Sequence, residues 1–350
     1  MKDYSFKQKL GVVLFDWPDF EYKLRPFSRN TSRHPAWVDI CNRNESLTKA
    51  PDGWGVSCPW KWSSALHAAK VFPSLGARLM KKSLADWPIE FKTSPSKIHD
   101  NVELSFIIGH RGKERCKHLL TTLQTIAAQR NVAWECLVVE QTLKPEIQND
   151  LPLWTKYIHT PLPYHDMPYS RALAFDVGAR YAKSNLLVFH DNDLLIPVDY
   201  AHQLLKLWRK DYEVINLKRF VFYMNRADSA QLAETSSWNM AIIPETILQN
   251  ALGGSLAIDK NAYFAIGGFD TSFIGWGCED NEFWERAQTR SVWPYGYMPV
   301  IHLWHQNQPE KSDAKETMAM KRYRQISQIS PEIRIERLLN DCSNKKHGNS

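Results

Sequence analysis

Two carboxylates follow a short apolar run of the chain. Asp191 and Asp193 come directly after residues 185–189, which are predicted to form a buried strand. Two carboxylates this close repel each other unless a cation lies between them. Oxygen ligands suit Mg²⁺ or Mn²⁺, which also bind diphosphate oxygens. The D-x-D pattern is common in surface turns, but its position at a strand end favours a metal site.

A glycine-rich segment over residues 267–282 is the second candidate for chemistry. Its glycines, at 267, 268, 275 and 277, allow tight turns, and Trp276 stands between two of them. We expect Trp276 to present an aromatic face on which a sugar ring can stack. Glu279 and Asp280 then open a predicted helix. The alternative is a glycine-rich loop followed by an ordinary capped helix.

A pair of histidines follows the apolar residues 298–301. His302 and His305 are three residues apart, near a predicted strand end. Imidazole is a ligand for metals of intermediate softness, so the pair could complete a metal site. Structural histidines are an equally good interpretation of this segment alone.

Basic side chains follow the first predicted strand. Residues 109–113 are Gly-His-Arg-Gly-Lys, with Arg111 and Lys113 at a strand-to-helix turn. A turn of this composition favours an anionic group, although basic loops are more often simply solvated.

The elements that must position these residues alternate between strand and helix. Apolar patterning predicts strands over 102–108, 134–139 and 185–189, and helices over 114–129 and 169–183. This order predicts an α/β fold with parallel strands, whose ligands bind beyond the carboxyl ends of the strands. The acidic turn at 191–193 lies at such an end.

Composition and charge divide the chain. The 350 residues are 43% hydrophobic and 23% charged, which excludes collagen, coiled coil and wholesale disorder. Residues 1–100 hold 16 Lys and Arg against 10 Asp and Glu, and the rest hold 28 of each. We therefore predict a basic, Trp-rich accessory region over 1–100, a catalytic domain over 101–315, and a helical or flexible tail over 316–350.

An amphipathic helix is predicted over Phe72–Trp87, with Arg78, Lys81 and Lys82 opposite its apolar face. Packing on the catalytic domain is the favoured interpretation. A peripheral contact with an anionic membrane is the alternative.

The sequence favours a cytoplasmic protein, with a peripheral place at the cytoplasmic membrane face as the alternative. No run of about 18 apolar residues is present, and the apolar run over 10–15 lacks a small-residue cleavage site. The six cysteines are scattered, which indicates reduced thiols and not a zinc cluster. No motif indicates nucleic-acid binding.

Taken in order, these segments resemble the GT-A glycosyltransferases, and most of all the β-1,4-galactosyltransferase and bacterial chondroitin-polymerase type. The strings that carry the resemblance are SFIIGHRGKER, YSRALAFDVGARYA, LLVFHDNDLLIP, GGSLAIDKNAYFAIGGFDTSFIGWGCEDNEFWER and HLWHQ, over roughly residues 104–310. The resemblance implies a Rossmann-like, mainly parallel sheet flanked by helices, a UDP-sugar donor, and Mn²⁺ or Mg²⁺ as cofactor.

The resemblance also implies a role for each site residue. The implied metal ligands are Asp193 and His305, with Asp191 and His302 as further candidates. The implied donor-binding residues are Arg111, Lys113, Arg171, Asp191, Asp193, Gly254 and Trp276. Trp276, Glu279 and Asp280 would bind the acceptor, and Asp280, beside Glu279, would act as general base. Ala251 stands where galactose-specific relatives have a large tyrosine, which favours an N-acetylhexosamine donor.

The implied reaction is metal-dependent transfer of a hexose or N-acetylhexosamine to a glycan or lipid-linked saccharide. Attack by an acceptor hydroxyl that loses its proton to Asp280 would invert the anomeric configuration. One alternative is a retaining N-acetylgalactosaminyltransferase of the same fold. Another is a non-catalytic protein that binds carbohydrates or nucleotide sugars.

Overall fold

The structure is a computed structural model, which describes residues 4–25, 33–43, 45–58, 67–164, 166–238, 242–275, 277–306 and 317–347. The helices are α1 (Phe6–Gly11), α2 (Trp17–Lys23), α3 (His67–Val71), α4 (Pro73–Asp86), α5 (Cys116–Ala127), α6 (Arg171–Tyr181), α7 (Tyr200–Trp208), α8 (Arg226–Thr235), α9 (Lys260–Ala265), α10 (Glu279–Ala287), α11 (Met318–Ile326) and α12 (Pro331–His347). The strands are β1 (Thr48–Lys49), β2 (Val56–Ser57), β3 (Leu104–His110), β4 (Trp134–Thr142), β5 (Lys156–Pro161), β6 (Leu186–His190), β7 (Leu194–Leu195), β8 (Val214–Ile215), β9 (Lys218–Tyr223), β10 (Thr246–Gln249), β11 (Ser255–Asp259), β12 (Val292–Trp293) and β13 (Met298–His302).

A seven-stranded sheet forms the centre of the protein, in the order β12-β8-β11-β6-β3-β4-β5. The neighbours β6, β3, β4 and β5 run parallel, whereas β11 is antiparallel to both β6 and β8. The predicted mainly parallel α/β fold is therefore confirmed. The three predicted strands and two predicted helices all form, with ends displaced by a few residues.

A second, four-stranded sheet has the order β10-β9-β13-β7. Its strand β13 pairs antiparallel with β7, so that His302 lies opposite Leu194. Because β7 begins immediately after Asp193, this pairing brings the histidine segment to the acidic turn. The sequence patterns did not predict this sheet.

Described residues among the first hundred pack on the sheets as part of the same hydrophobic core. The buried guanidinium of Arg219 on β9 donates to the backbone oxygens of Val38 and Ile40, at 2.7 and 2.6 Å. The indole of Trp37 is fully buried and lies 6.0 Å from the ring of Phe220. The domain boundary at residue 100 stays a prediction.

The amphipathic helix predicted over Phe72–Trp87 forms as α4. Leu75, Leu79 and Met80 on its apolar face are buried in the protein. On the other side of the helix, Arg78 forms an ion pair with Glu21 at 2.7 Å. These contacts support packing of this face over membrane contact. No described helix is long and apolar enough to cross a membrane.

Candidate active site

The acidic turn that follows β6 is fixed to two neighbouring segments. The backbone N–H of Asp191 donates to the oxygen of Gly254 at 2.7 Å, and Gly254 has a φ of +92° that favours glycine. The Asn192 amide donates to Nδ1 of His110, whose Nε2 donates to the oxygen of Gly112, both at 2.9 Å. Burial lowers the pKa of His110 to about 4, so the ring is neutral and can both accept and donate. The turn therefore has a defined conformation.

Asp193, His302 and His305 form a cluster of metal-ligating groups. One potential ligand atom from each lies within 4.8 Å of the others, and no other such cluster of three occurs among the described residues. Oδ1 of Asp193 is 3.7 Å from Nε2 of His302, and Oδ2 is 3.4 Å from Nε2 of His305. Oδ1 of Asp193 is buried without a hydrogen-bond partner. Because an orphaned carboxylate oxygen beside two imidazoles suits Mn²⁺, the residues fit the implied metal.

Asp191 lies outside this cluster, and its role as a further metal ligand stays a prediction. Its carboxylate instead accepts a hydrogen bond from Nε of Arg171 at 2.6 Å. Residues two apart in the tight turn point their carboxylates in different directions, so only one of them meets the histidines.

Side chains from two other elements hold the histidine segment. The ring of Tyr223 stacks on His302 at 4.2 Å between centroids. Nε2 of His118 on α5 donates to the oxygen of Trp304 at 2.8 Å, and the N–H of Trp304 donates to the hydroxyl of Ser229 at 2.7 Å. These contacts pre-organise the imidazoles, as second partners do in metal sites. Sequence reasoning missed all three supporting residues because they are distant in the chain.

Arg115 contacts the metal-site carboxylate directly. Its guanidinium forms an ion pair with Oδ2 of Asp193, and its Nε is buried without a partner. Burial tends to raise the pKa of Asp193, but His302, Arg115 and His305 outweigh it and lower this pKa to about 2. The carboxylate is therefore ionised. Sequence reasoning missed Arg115, which lies two residues beyond the basic segment 109–113.

Arg171 joins the predicted donor and acceptor residues. It is the first residue of α6, where the hydroxyl of Ser170 accepts from the N–H of Leu173 as an N-cap. Besides Asp191, its guanidinium donates to Oδ1 of Asp280 and lies 3.5 Å from Glu279. Burial opposes its charge, but the three carboxylates raise its pKa well above the ordinary value. The structure therefore brings three predicted carboxylates together around the predicted Arg171.

Glu279 and Asp280 begin α10 beside a glycine. Cys278, the N-cap, has a left-handed φ of +65°. A Cβ added to Gly253 would lie 2.2 Å from Oδ2 of Asp280, so only glycine leaves this oxygen its space. Burial, followed by the charge of Asp280, raises the pKa of Glu279 to about 7. The two adjacent carboxylates therefore stand in different environments.

The glycine-rich segment is anchored beneath α10. Nη1 of the buried Arg286 donates to the oxygen of Gly268 at 2.7 Å, and Nη2 pairs with Glu282 at 2.6 Å. Glycines 267, 268, 275 and 277 all have positive φ, as the predicted tight turns require. This network fixes the start of α10, and with it Asp280, relative to the sheet.

Two described residues among the predicted donor ligands contribute none of the contacts given above. Arg111 donates to the oxygen of Met167, and Lys113 is exposed in the turn after β3. Trp276 lies outside the described residues. Ala251 is partly buried, and its oxygen accepts from the amide of Asn216 at 3.1 Å.

A buried lysine lies behind the carboxylates. Nζ of Lys218 donates to Oδ1 of Asn216 at 2.7 Å and to the oxygen of Ser255. Burial lowers its pKa to about 7, opposed in part by the charges of Asp280 and Asp191. Its place on the unpredicted strand β9 explains why sequence reasoning missed it.

Comparison with known proteins decides the class of this site. Residues 105–308, more than half of the chain, match the family described as glycosyltransferase like family 2. The chain belongs to this family. This match confirms the prediction that the protein is a glycosyltransferase. The matched residues 105–308 include every described residue of the site. No curated protein sequence matches the sequence of this chain significantly.

Two solved structures are similar to this glycosyltransferase at low identity. One is a mutant Drosophila β1,4-galactosyltransferase 7 in complex with manganese, UDP-Gal and xylobiose, at 15% identity and a TM-score of 0.39, covering 63% of this chain and 79% of that one. The other is GalNAc-T7 with UDP, GalNAc and Mn²⁺, at 15% identity and a TM-score of 0.45, covering 65% of this chain. The alignment spans 48% of GalNAc-T7, about half of its length.

Proposed function

We propose that this glycosyltransferase transfers a hexose or N-acetylhexosamine from a UDP-sugar to a hydroxyl of a glycan or lipid-linked saccharide in a metal-dependent reaction. One observation carries the proposal. The turn at 191–193 joins two clusters, since Asp193 meets the two histidines and Asp191 meets Arg171. The metal cluster and the ion-pair cluster that contains Asp280 are therefore linked through Asp191 and Asp193, two residues apart in one turn.

Asp193, His302 and His305 would hold Mn²⁺. When bound, this ion neutralises negative charge on a nucleotide diphosphate. Arg111, Lys113 and Arg115 supply further positive charge from the turn after β3. A diphosphate leaving group needs charge compensation of this kind, and fixed groups provide it without reorganisation.

Asp280 is the proposed general base. Arg171 occupies its Oδ1, and Gly253 leaves space at Oδ2, so Oδ2 is the atom that would take the proton. The acceptor oxygen forms a bond to the anomeric carbon while the bond from this carbon to the diphosphate oxygen breaks. A single displacement of this kind inverts the configuration.

Nucleotide binding tests the donor proposal. We expect calorimetric titration of UDP to show binding in the presence of Mn²⁺ and at least tenfold weaker binding in EDTA. Asp193→Asn is expected to lose the metal dependence, whereas Asp199→Asn, outside the site, keeps it. Equal UDP affinity with and without Mn²⁺ would argue against the proposed role of the cluster.

Product stereochemistry separates the inverting proposal from the retaining alternative. Proton NMR of the first product formed from an α-linked donor is expected to show a β-linkage. Asp280→Asn is expected to lower kcat by roughly 10²- to 10⁴-fold, the range for loss of a general base. An α-linked product, or unchanged kcat in this variant, contradicts Asp280 as the base.

A further inference from the structure

The helical segment that begins the described chain carries an exposed apolar face. Residues 6–23 are helical throughout, with a π-turn at Val12–Asp16 between α1 and α2. Val12 and Phe20 point into the core and are buried. Five large apolar residues of this segment are exposed to solvent instead. Their exposed fractions are 80% for Phe6, 45% for Leu10, 44% for Val13, 60% for Leu14 and 64% for Phe15. We call these five residues the N-terminal apolar face.

The spacing of these residues is that of an amphipathic helix. Phe6 and Leu10 stand at i and i+4 in α1, on one side of that helix, and the exposed Val13 and Leu14 follow in the π-turn. Lys7 and Lys9 are exposed, and at 100° per residue they fall on the two borders of this side. Basic residues that border an apolar stripe are typical of helices lying in the plane of a membrane interface.

The charge around this face is positive. No acidic residue occurs between Phe6 and Phe15, and the guanidinium of Arg43 lies 5.1 Å from the centroid of the Phe15 ring. The acidic residues further along the segment are already compensated. Asp16 is buried with its Oδ2 4.0 Å from Nη1 of Arg43, while Asp19 and Glu21 pair with Lys23 and Arg78, both within 2.8 Å.

We propose that the N-terminal apolar face docks the protein on an anionic phospholipid bilayer. The apolar side chains would enter the interface while Lys7 and Lys9 meet the lipid headgroups. This surface differs from the face of α4, whose Leu75, Leu79 and Met80 are buried. The inference goes beyond the proposed function and does not depend on it.

Charge favours a lipid surface over a second copy of this chain. A two-fold dimer through this face would bring each patch against itself, and the lysines at its borders against the same lysines. Like charges so close disfavour association, whereas an anionic surface complements them.

Vesicle sedimentation of the full chain tests the proposal. We expect the protein to sediment with phosphatidylcholine vesicles that contain phosphatidylglycerol, and much less with pure phosphatidylcholine. The double variant Leu10→Glu/Leu14→Glu is expected to lose at least tenfold in vesicle affinity. The control is Leu153→Glu, at an even more exposed apolar side chain elsewhere, and should bind like wild type.

A second variant guards against a folding defect. Lys7→Gln/Lys9→Gln leaves the apolar side chains in place and should reduce the preference for anionic vesicles, as should high salt. Circular dichroism should show unchanged helix content in all variants. Absence of binding to either vesicle, or equal binding by the leucine variant, would overturn the proposal. So would a dimer, seen by light scattering, that the leucine variant dissociates.

Discussion

The guanidinium of Arg115 lies against the carboxylate of Asp193, the one acidic member of the metal cluster. A cation entering the cluster must compete with this arginine for Oδ2 of Asp193. We therefore expect Arg115→Ala to bind Mn²⁺ about tenfold more tightly than wild type when no nucleotide is present, a gain of about 1.4 kcal/mol. Calorimetric titration of Mn²⁺ measures this, with Lys113→Ala as the control on the same turn. Weaker metal binding in Arg115→Ala would show that the ion pair organises the cluster instead.

The two histidines are expected to share the metal. His305→Ala should weaken Mn²⁺ binding by roughly 10- to 100-fold because it removes a neutral nitrogen ligand. Electron paramagnetic resonance of free Mn²⁺ reports the bound fraction without any turnover. His202→Ala, at a partly buried histidine on α7 outside the site, is the control. If both variants bind Mn²⁺ like wild type, the cluster is not the metal site.

The short approach between Gly253 and Asp280 gives a steric test. In Gly253→Ala the new Cβ must displace Oδ2 of Asp280, while the backbone itself tolerates alanine. We expect kcat to fall by about tenfold or more, since small misplacements of a reacting group are costly, with UDP affinity unchanged. Gly11→Ala is the matched control, because its nearest neighbour is the flexible end of Arg43. Wild-type kcat in Gly253→Ala would mean that Oδ2 is not needed.

The raised pKa of Glu279 predicts a pH dependence of stability. Its pKa is about 7 in the folded protein and 4.5 as its ordinary value. Between these values the folded state binds more protons than the unfolded state, so the free energy of unfolding falls as pH rises. Glu279→Gln removes this fall and should be more stable than wild type well above pH 7 by roughly 3 kcal/mol.

Urea denaturation in EDTA, at pH values on either side of this range, measures the difference. Glu234→Gln, at an exposed position on α8, should follow the wild-type curve. Parallel curves for wild type and Glu279→Gln would mean that this carboxyl titrates normally.

The sequence predicted elements with strong local patterns. The stripe of α5, the buried strands β3, β4 and β6, and the acidic turn after β6 all follow from apolar periodicity and composition. The second sheet could not be predicted in this way. Its strand β7 has two residues, and β9 and β13 meet only through pairing of distant segments.

The same limit explains what was missed in the site. The separation of Asp191 from the metal cluster depends on where Arg171 points, which no spacing rule describes. The burial of Lys218 and the contact between His118 and Trp304 depend equally on tertiary packing. Residue types and motif order identified most of the participants, but only the three-dimensional arrangement shows which carboxylate meets which cation.

Turnover of nucleotide sugars tests the central claim most directly. Release of UDP should be measured for a panel of UDP-hexoses and UDP-N-acetylhexosamines, with Mn²⁺ and again in EDTA. We predict that at least one donor is consumed with Mn²⁺ and that EDTA abolishes its consumption. Failure of folded, Mn²⁺-supplied protein to release UDP from any donor, or equal release in EDTA, would contradict a metal-dependent UDP-sugar glycosyltransferase.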